Sequence, residues 1–185
     1  SSLADLKRRY DLDWAGAEQQ FRHAIALDPG LVDAHQYFAH LLSALGRHSE
    51  ALSEIQIAER LDPFSSAVQS HFGRILYRAR NYAEAERRLR LAIELDPQDY
   101  GAYHRLGDLY EQVGKYTDAI ANLKKGDELR SGSGSGYRGT SLKDSRLARV
   151  YARMGRRDEA LRMLNDLERT TELLRFNIFS AATAW

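Results

Sequence analysis

Apolar residues along this chain fall at helical spacing, and the helical stretches themselves recur. In the clearest stretch, Ala85-x3-Leu89 and Ala92 run up to Asp96-Pro97, and Tyr103-x2-Leu106-Gly107-x2-Tyr110 follows. Read backwards, Ala85 recurs as Ala51 and Ala17, and Pro97 as Pro63 and Pro29; read forwards, Ala85 recurs as Ala119. Every step is 34 residues. Apolar positions three and four apart predict amphipathic helices. Glycine predicts where such a helix turns left-handed, and proline where its ladder of hydrogen bonds stops.

Taken in order, Leu3, Leu6 and Tyr10 predict a short first helix, and Asp11–Trp14 a cramped turn into a second, Ala15–Leu27, with Phe21, Ala24 and Ile25 inward. Trp14 is expected to cap the core, since Tyr82 and Tyr116 stand at the same place; burying such a ring is worth about 1.5–3 kcal/mol. The next unit carries Phe38-Ala39, Leu42, Gly46, Ala51, Ile55, Ala58 and Asp62-Pro63. The third carries Phe72-Gly73, Leu76, Tyr82, Ala85, Leu89, Ala92 and Pro97, and the fourth Tyr103, Leu106-Gly107, Tyr110, Gly114, Tyr116, Ala119 and Leu123. Then the period slips. Gly126 stands where Ala92 stood, and Ser131–Gly136 is an unbroken Ser-Gly run that reads as flexible linker, either a natural loop or an engineered replacement for a longer one. Leu147-Ala148, Tyr151, Gly155, Ala160 and Leu164 restore the pattern seven residues late, and Ala181-Ala182-x2-Trp185 begins it once more. The expected boundaries are an incomplete repeat over 1–30, repeats over 31–64, 65–98, 99–130 and 137–172, a linker over 131–136 and a terminal helix over 174–185.

Small residues, a bulky apolar and a proline at constant offsets over 34 residues resemble the tetratricopeptide repeat, with the closest match in Tyr103 to Tyr110. The resemblance implies an all-α, right-handed α-solenoid of helix-turn-helix repeats that acts as a non-catalytic protein–protein interaction module. It also implies that first helices line a concave groove and second helices form the convex back. Asp11–Glu18, Gly73–Tyr77 and Ala152–Ala160 resemble, more narrowly, the repeat arrays of bacterial multidomain regulators. In those proteins the array follows a DNA-binding, kinase or cyclase domain. A self-assembling scaffold and the sensory part of such a regulator or kinase stand as the alternatives to a peptide-binding module.

Composition narrows this further. Charged residues make up 29% and hydrophobic ones 43%, too apolar a mixture for disorder. The net charge of +1 gives no overall reason to expect nucleic acid or an anionic membrane as partner, and there is no cysteine for a disulfide or thiolate site. No apolar run reaches the roughly 18–20 residues a membrane span needs. A cytoplasmic location is the expectation. The chain opens Ser1-Ser2-Leu3, which reads as a fragment or processed product, and the apolar C-terminal helix reads as a cap, a truncated repeat or a surface for self-association.

The groove positions implied by the resemblance lie between the packing residues. They are Gln36, Tyr37 and His40; His71, Arg74, Tyr77 and Arg78; His104, Arg105, Asp108 and Glu111; and Arg146, Arg149 and Arg153. This face is rich in histidine and arginine, while Glu50, Glu54, Glu84, Glu86 and Glu94 fall on the back. Guanidinium forks suit carboxylates, so the expected partner is an acidic or extended peptide, with Arg74, Arg78 and Arg105 converging on it. The chaperone-binding members of the family use a lysine–asparagine–asparagine–lysine–arginine clamp. Here the matching slots hold Gln36, His40, His71, Gly101 and Arg105, or Ser70, Arg74, Arg105, Leu142 and Arg146, so only the last is filled. His40, His71 and His104 are weighed as converging metal ligands and set aside as groove lining, since no His pair sits four apart and no HExxH occurs. No nucleophile–base pair or phosphate-cradling loop is found, so no catalytic residue and no cofactor are expected.

Overall fold

A computed structural model describes residues 14–132, 140–166 and 168–169. The helices are α1 (Trp14–Leu27), α2 (Val32–Ala44), α3 (His48–Leu61), α4 (Ser66–Arg78), α5 (Tyr82–Leu95), α6 (Tyr100–Gln112), α7 (Tyr116–Gly132) and α8 (Thr140–Arg153). Residues 157–166 are helical as well, and no strand occurs among the described residues. The chain divides into two units, Ser1–Arg88 and Leu89–Trp185.

In the first unit α2 packs on α1, α3 and α4, and α3 packs on α4. Ala39, Ala51, Ala58 and Ala85 are wholly buried, so helix backbones approach closely there, while Leu42, Ile55, Val68 and Ile75 fill the space between. In the second unit α6 packs on α7 and α7 on α8. Its core is Leu89, Ala92, Ala102, Leu109, Ala119 and Leu123, extended by Leu147, Ala148 and Val150 of α8.

The turn inside each repeat has one design. The backbone N–H groups of Arg47, Asn81, Lys115 and Arg156 donate to the carbonyls of Leu42, Leu76, Tyr110 and Tyr151, each at 2.8–2.9 Å. Such a bond wraps one residue in the left-handed region and satisfies a helix-end carbonyl. That residue is Gly46 (φ 78°), Gly114 (φ 79°) and Gly155 (φ 77°) in three turns, but Arg80 (φ 61°) in the fourth. From one turn to the next the steps are 34, 34 and 41 residues. Between repeats, Ser65 Oγ accepts from the N–H of Val68 at 3.3 Å and Asp99 Oδ1 from that of Ala102 at 3.1 Å, capping α4 and α6.

Two expectations change. Trp14 does not cap the core: it opens α1 and is 43% exposed. Tyr82, at the equivalent place, is half-buried with its ring 6.0 Å from that of Tyr77; the residue two periods before Tyr77 is Arg9, which lies outside the described residues. The Ser-Gly run does not begin as linker, because α7 continues through Ser131 and Gly132 and Ser131 Oγ donates to the Asp127 carbonyl at 2.8 Å. The rest of that run, the Leu3–Tyr10 helix and the terminal helix lie outside the described residues.

Leucine at Ala51 or Ala85 must force two backbones apart. Each substitution should cost about 1–3 kcal/mol and lower the melting temperature by several degrees in a calorimetric scan; unchanged melting for both would refute the packing register. Arg80→Gly should act oppositely. Relief of the left-handed penalty on a side chain should add about 0.5–1 kcal/mol, a rise of roughly 2–4 °C. A fall in melting temperature instead would mean that contacts of the Arg80 side chain outweigh its strain.

Candidate functional site

In the first unit, α2 and α4 carry the predicted first-helix face. Tyr37 is 51% exposed, and His40, His71, Arg74, Tyr77 and Arg78 are half-buried. The His40 and His71 rings meet edge to face with centroids 4.3 Å apart, and the Tyr37 ring stands edge-on to His71 at 6.4 Å. The Gln36 side-chain nitrogen lies 2.6 Å from His71 Nδ1, which buries Gln36 instead of exposing it. Across both helices there is a single carboxylate, Asp33, in the first turn of α2.

The second unit is built differently. His104 does not line an open face. It is buried, with Nε2 3.0 Å from Asp127 Oδ1, an oxygen that also accepts from Arg130 Nη2 at 3.2 Å. The ring lies directly on Gly126, where an added Cβ would stand 2.5 Å from His104 Cδ2. The glycine that interrupts the alanine pattern is therefore the space that this imidazole occupies. Arg105 is half-buried, its guanidinium folded against Gly101 of the same helix.

Arg146, Arg149 and Arg153 of α8 are likewise turned to protein acids. Arg149 Nε donates to both Glu111 oxygens at 2.8 Å, and its Nη2 to Asp108 Oδ1 at 2.9 Å. Arg153 Nε is 3.2 Å from Glu111 Oε1 and Arg146 Nη1 is 3.8 Å from Asp108 Oδ2. Glu111 is 3% exposed. Its bond holds the Arg149 guanidinium above its ordinary pKa against the opposing effect of burial. These three expected groove arginines form a structural clasp between α8 and α6.

The carboxylates expected on the back also serve the fold. His35 Nδ1 lies 2.7 Å from Glu54 Oε2 and its Nε2 3.0 Å from the Pro29 carbonyl. One period later Gln69 Nε2 donates to Glu59 at 3.1 Å and to the Pro63 carbonyl at 3.3 Å. Sequence reasoning missed this tie, although a polar residue six positions after Pro29 and Pro63, His35 and Gln69, was its signal. Arg47 bonds hold the Glu18 and Glu50 carboxyls below the usual range, with Arg22 adding to the effect on Glu18. Burial pushes Glu84 up, but bonds from Arg87 and Arg88 outweigh it and leave it lowered. Among the described residues no group of three or more His, Asp or Glu side chains is placed to hold a metal ion, and no helix is long and apolar enough to cross a membrane.

Helix pairs joined by left-handed turns at a 34-residue step define an α-helical repeat protein. Tetratricopeptide repeat models match residues 70–133 and 145–173, together about half the chain. The chain belongs to the tetratricopeptide repeat family. Solved structures agree on the fold. A thermophilic TPR protein of Thermus thermophilus is 21% identical, with 91% of this chain and 89% of that one covered and a TM-score of 0.74. MamA is 21% identical over 95% and 98%, with a TM-score of 0.66. YrrB, a TPR protein with an unusual peptide-binding site, is 20% identical over 89% and 80%, with a TM-score of 0.57. No curated protein sequence matches significantly. As a member of this family the chain is a protein-interaction module, and such repeats are typically non-catalytic.

The clasp has a testable cost. Glu111→Gln keeps the shape and one acceptor but removes the charge that two guanidiniums share. Discounted for the exposure of Arg149, this should destabilise by about 1–2 kcal/mol, with faster amide exchange concentrated in α8. Unchanged exchange in α8 would show that its apolar contacts alone hold it.

Proposed function

We propose that the α2–α4 face of the first unit binds an acidic, extended peptide segment of a partner protein. The observation that carries this is the charge distribution on the two helices. They present Arg74, Arg78, His40 and His71 beside Tyr37 and Tyr77, and their one carboxylate lies at the start of α2. In the second unit the arginines of α8 bond to Asp108 and Glu111, so their charge is spent within the protein.

The recognition chemistry follows from the side chains. A guanidinium meets a carboxylate through parallel N–H groups, and tyrosine and imidazole rings offer flat surfaces to the backbone between carboxylates. Repulsion between the cations is tolerable in water and is relieved when an acidic segment arrives. The peptide-binding site named for YrrB supports a peptide as the kind of partner.

A fluorescent peptide of alternating glutamate and leucine serves as probe, with its lysine counterpart as control. Arg74→Ala with Arg78→Ala should weaken binding of the glutamate peptide by about a hundredfold or more, from the loss of about 1.5–3 kcal/mol for each of two charge-assisted bonds. Circular dichroism should show the same helicity, and affinity should fall as salt rises. Wild-type affinity in the double variant would sink the proposal.

A further inference from the structure

A cleft of about 680 Å³ opens between the second helices of two successive repeats in the first unit. Leu52 of α3 with Phe72 and Leu76 of α4 form its floor; Gln56, Asn81 and Arg87 stand at its rim. The period explains why it is open. One repeat earlier, Arg47 of the turn crosses the gap between α1 and α3, with Nη1 2.6 Å from Glu18 Oε2 and Nη2 2.6 Å from Glu50 Oε2. Thirty-four residues on, Glu18 becomes Leu52, Arg47 becomes Asn81, and Glu50 persists as Glu84. Leucine cannot accept the bridge and asparagine is too short to span it. Glu84 instead takes Arg87 Nη2 at 2.6 Å and Arg88 Nε at 2.9 Å, and the Arg88 guanidinium lies over the Phe72 ring, 4.3 Å from its centroid.

We infer that this cleft is a second peptide-binding site, separate from the α2–α4 face. It takes one large apolar side chain of a partner segment against Leu52 and the edges of Phe72 and Leu76, with an adjacent carboxylate on Arg87. The volume is that of a side-chain or small-ligand pocket. Arg87 selects the carboxylate, because Arg88 is held within the protein by Glu59 and Glu84. The Arg87 side chain is 74% exposed, so its fork is open to a partner while one nitrogen stays on Glu84. Exposed Gln56 and Asn81 offer amide groups to the peptide backbone.

The probes are N-acetyl-phenylalanine, which carries the ring and the carboxylate, and its amide, which lacks the charge. In amide-resolved NMR titrations of the full chain, the largest shifts should fall on Leu52, Gln56, Ala83 and Arg87, and the acid should bind about three- to tenfold more tightly than the amide. Arg87→Ala should erase that preference. Leu52→Glu with Asn81→Arg writes the preceding repeat's bridge into the cleft and should weaken both probes about tenfold or more while leaving melting equal or higher. Gln56→Trp blocks the mouth from an exposed position and should act likewise if the double variant folds poorly. Failure of either probe to bind the wild type, equal binding by both closing variants, or shifts centred on Tyr37, His40 and His71 would overturn the assignment. The last outcome would leave the α2–α4 proposal standing.

Discussion

Two helix backbones approach closely only where the side chain between them is small, and the wholly buried alanines at 51, 85 and 119 meet that requirement once per repeat. The remaining features of each repeat follow from that approach. A bulky residue four positions on, at Ile55, Leu89 and Leu123, fills the wedge between diverging helices and is also wholly buried. Reversing the chain sharply enough to hold the pair together then demands a left-handed residue. The backbone supplies it with one repeated hydrogen bond, even where the residue is Arg80 rather than glycine. The tolerance of arginine there shows that tertiary packing, more than local preference, sets the turn.

The seven-residue slip before α8 tests how strongly that geometry binds. Apolar contact alone would leave α8 poorly oriented, since Leu147, Ala148 and Val150 form a short stripe. Arg149 and Arg153 fix its rotation, because buried Glu111 accepts hydrogen bonds from Arg149 and is ion-paired with Arg153. A buried carboxylate is costly unless its oxygens are satisfied, and here the satisfaction comes from the helix that has to be positioned. The cations therefore orient α8, and a reading that gives them to an outside ligand must explain what would then satisfy Glu111.

The fold was legible because its determinants are periodic: alanine, glycine and proline at fixed offsets need no knowledge of partners. The faces were less legible, since their residues act across helices. His104 looked like groove lining by its offset, yet the glycine at 126, far along the chain, opens the space that draws it inward to Asp127. Gln36 has a groove position too, but its amide is buried against His71. Trp14 shares its offset with Tyr82 and not its surroundings. In each case the misreading came from treating an offset as an environment.

That distinction also shows where a repeat protein can acquire specificity. Core offsets are constrained by neighbours on both sides, so Ala51 and Ala85 stay the same. The position one beyond the core alanine is not so held: Glu18 takes part in a bridge there, and Leu52 lines an apolar surface. Its partner in the turn, Arg47 or Asn81, follows the left-handed residue and has its backbone fixed by the turn bond, leaving the side chain free to vary. The backbone thus presents the same two points in each repeat, and the residues placed there decide whether the gap between second helices is clasped or open. Specificity in this chain is then a matter of which bridges a repeat omits as much as of which cations its first helices display.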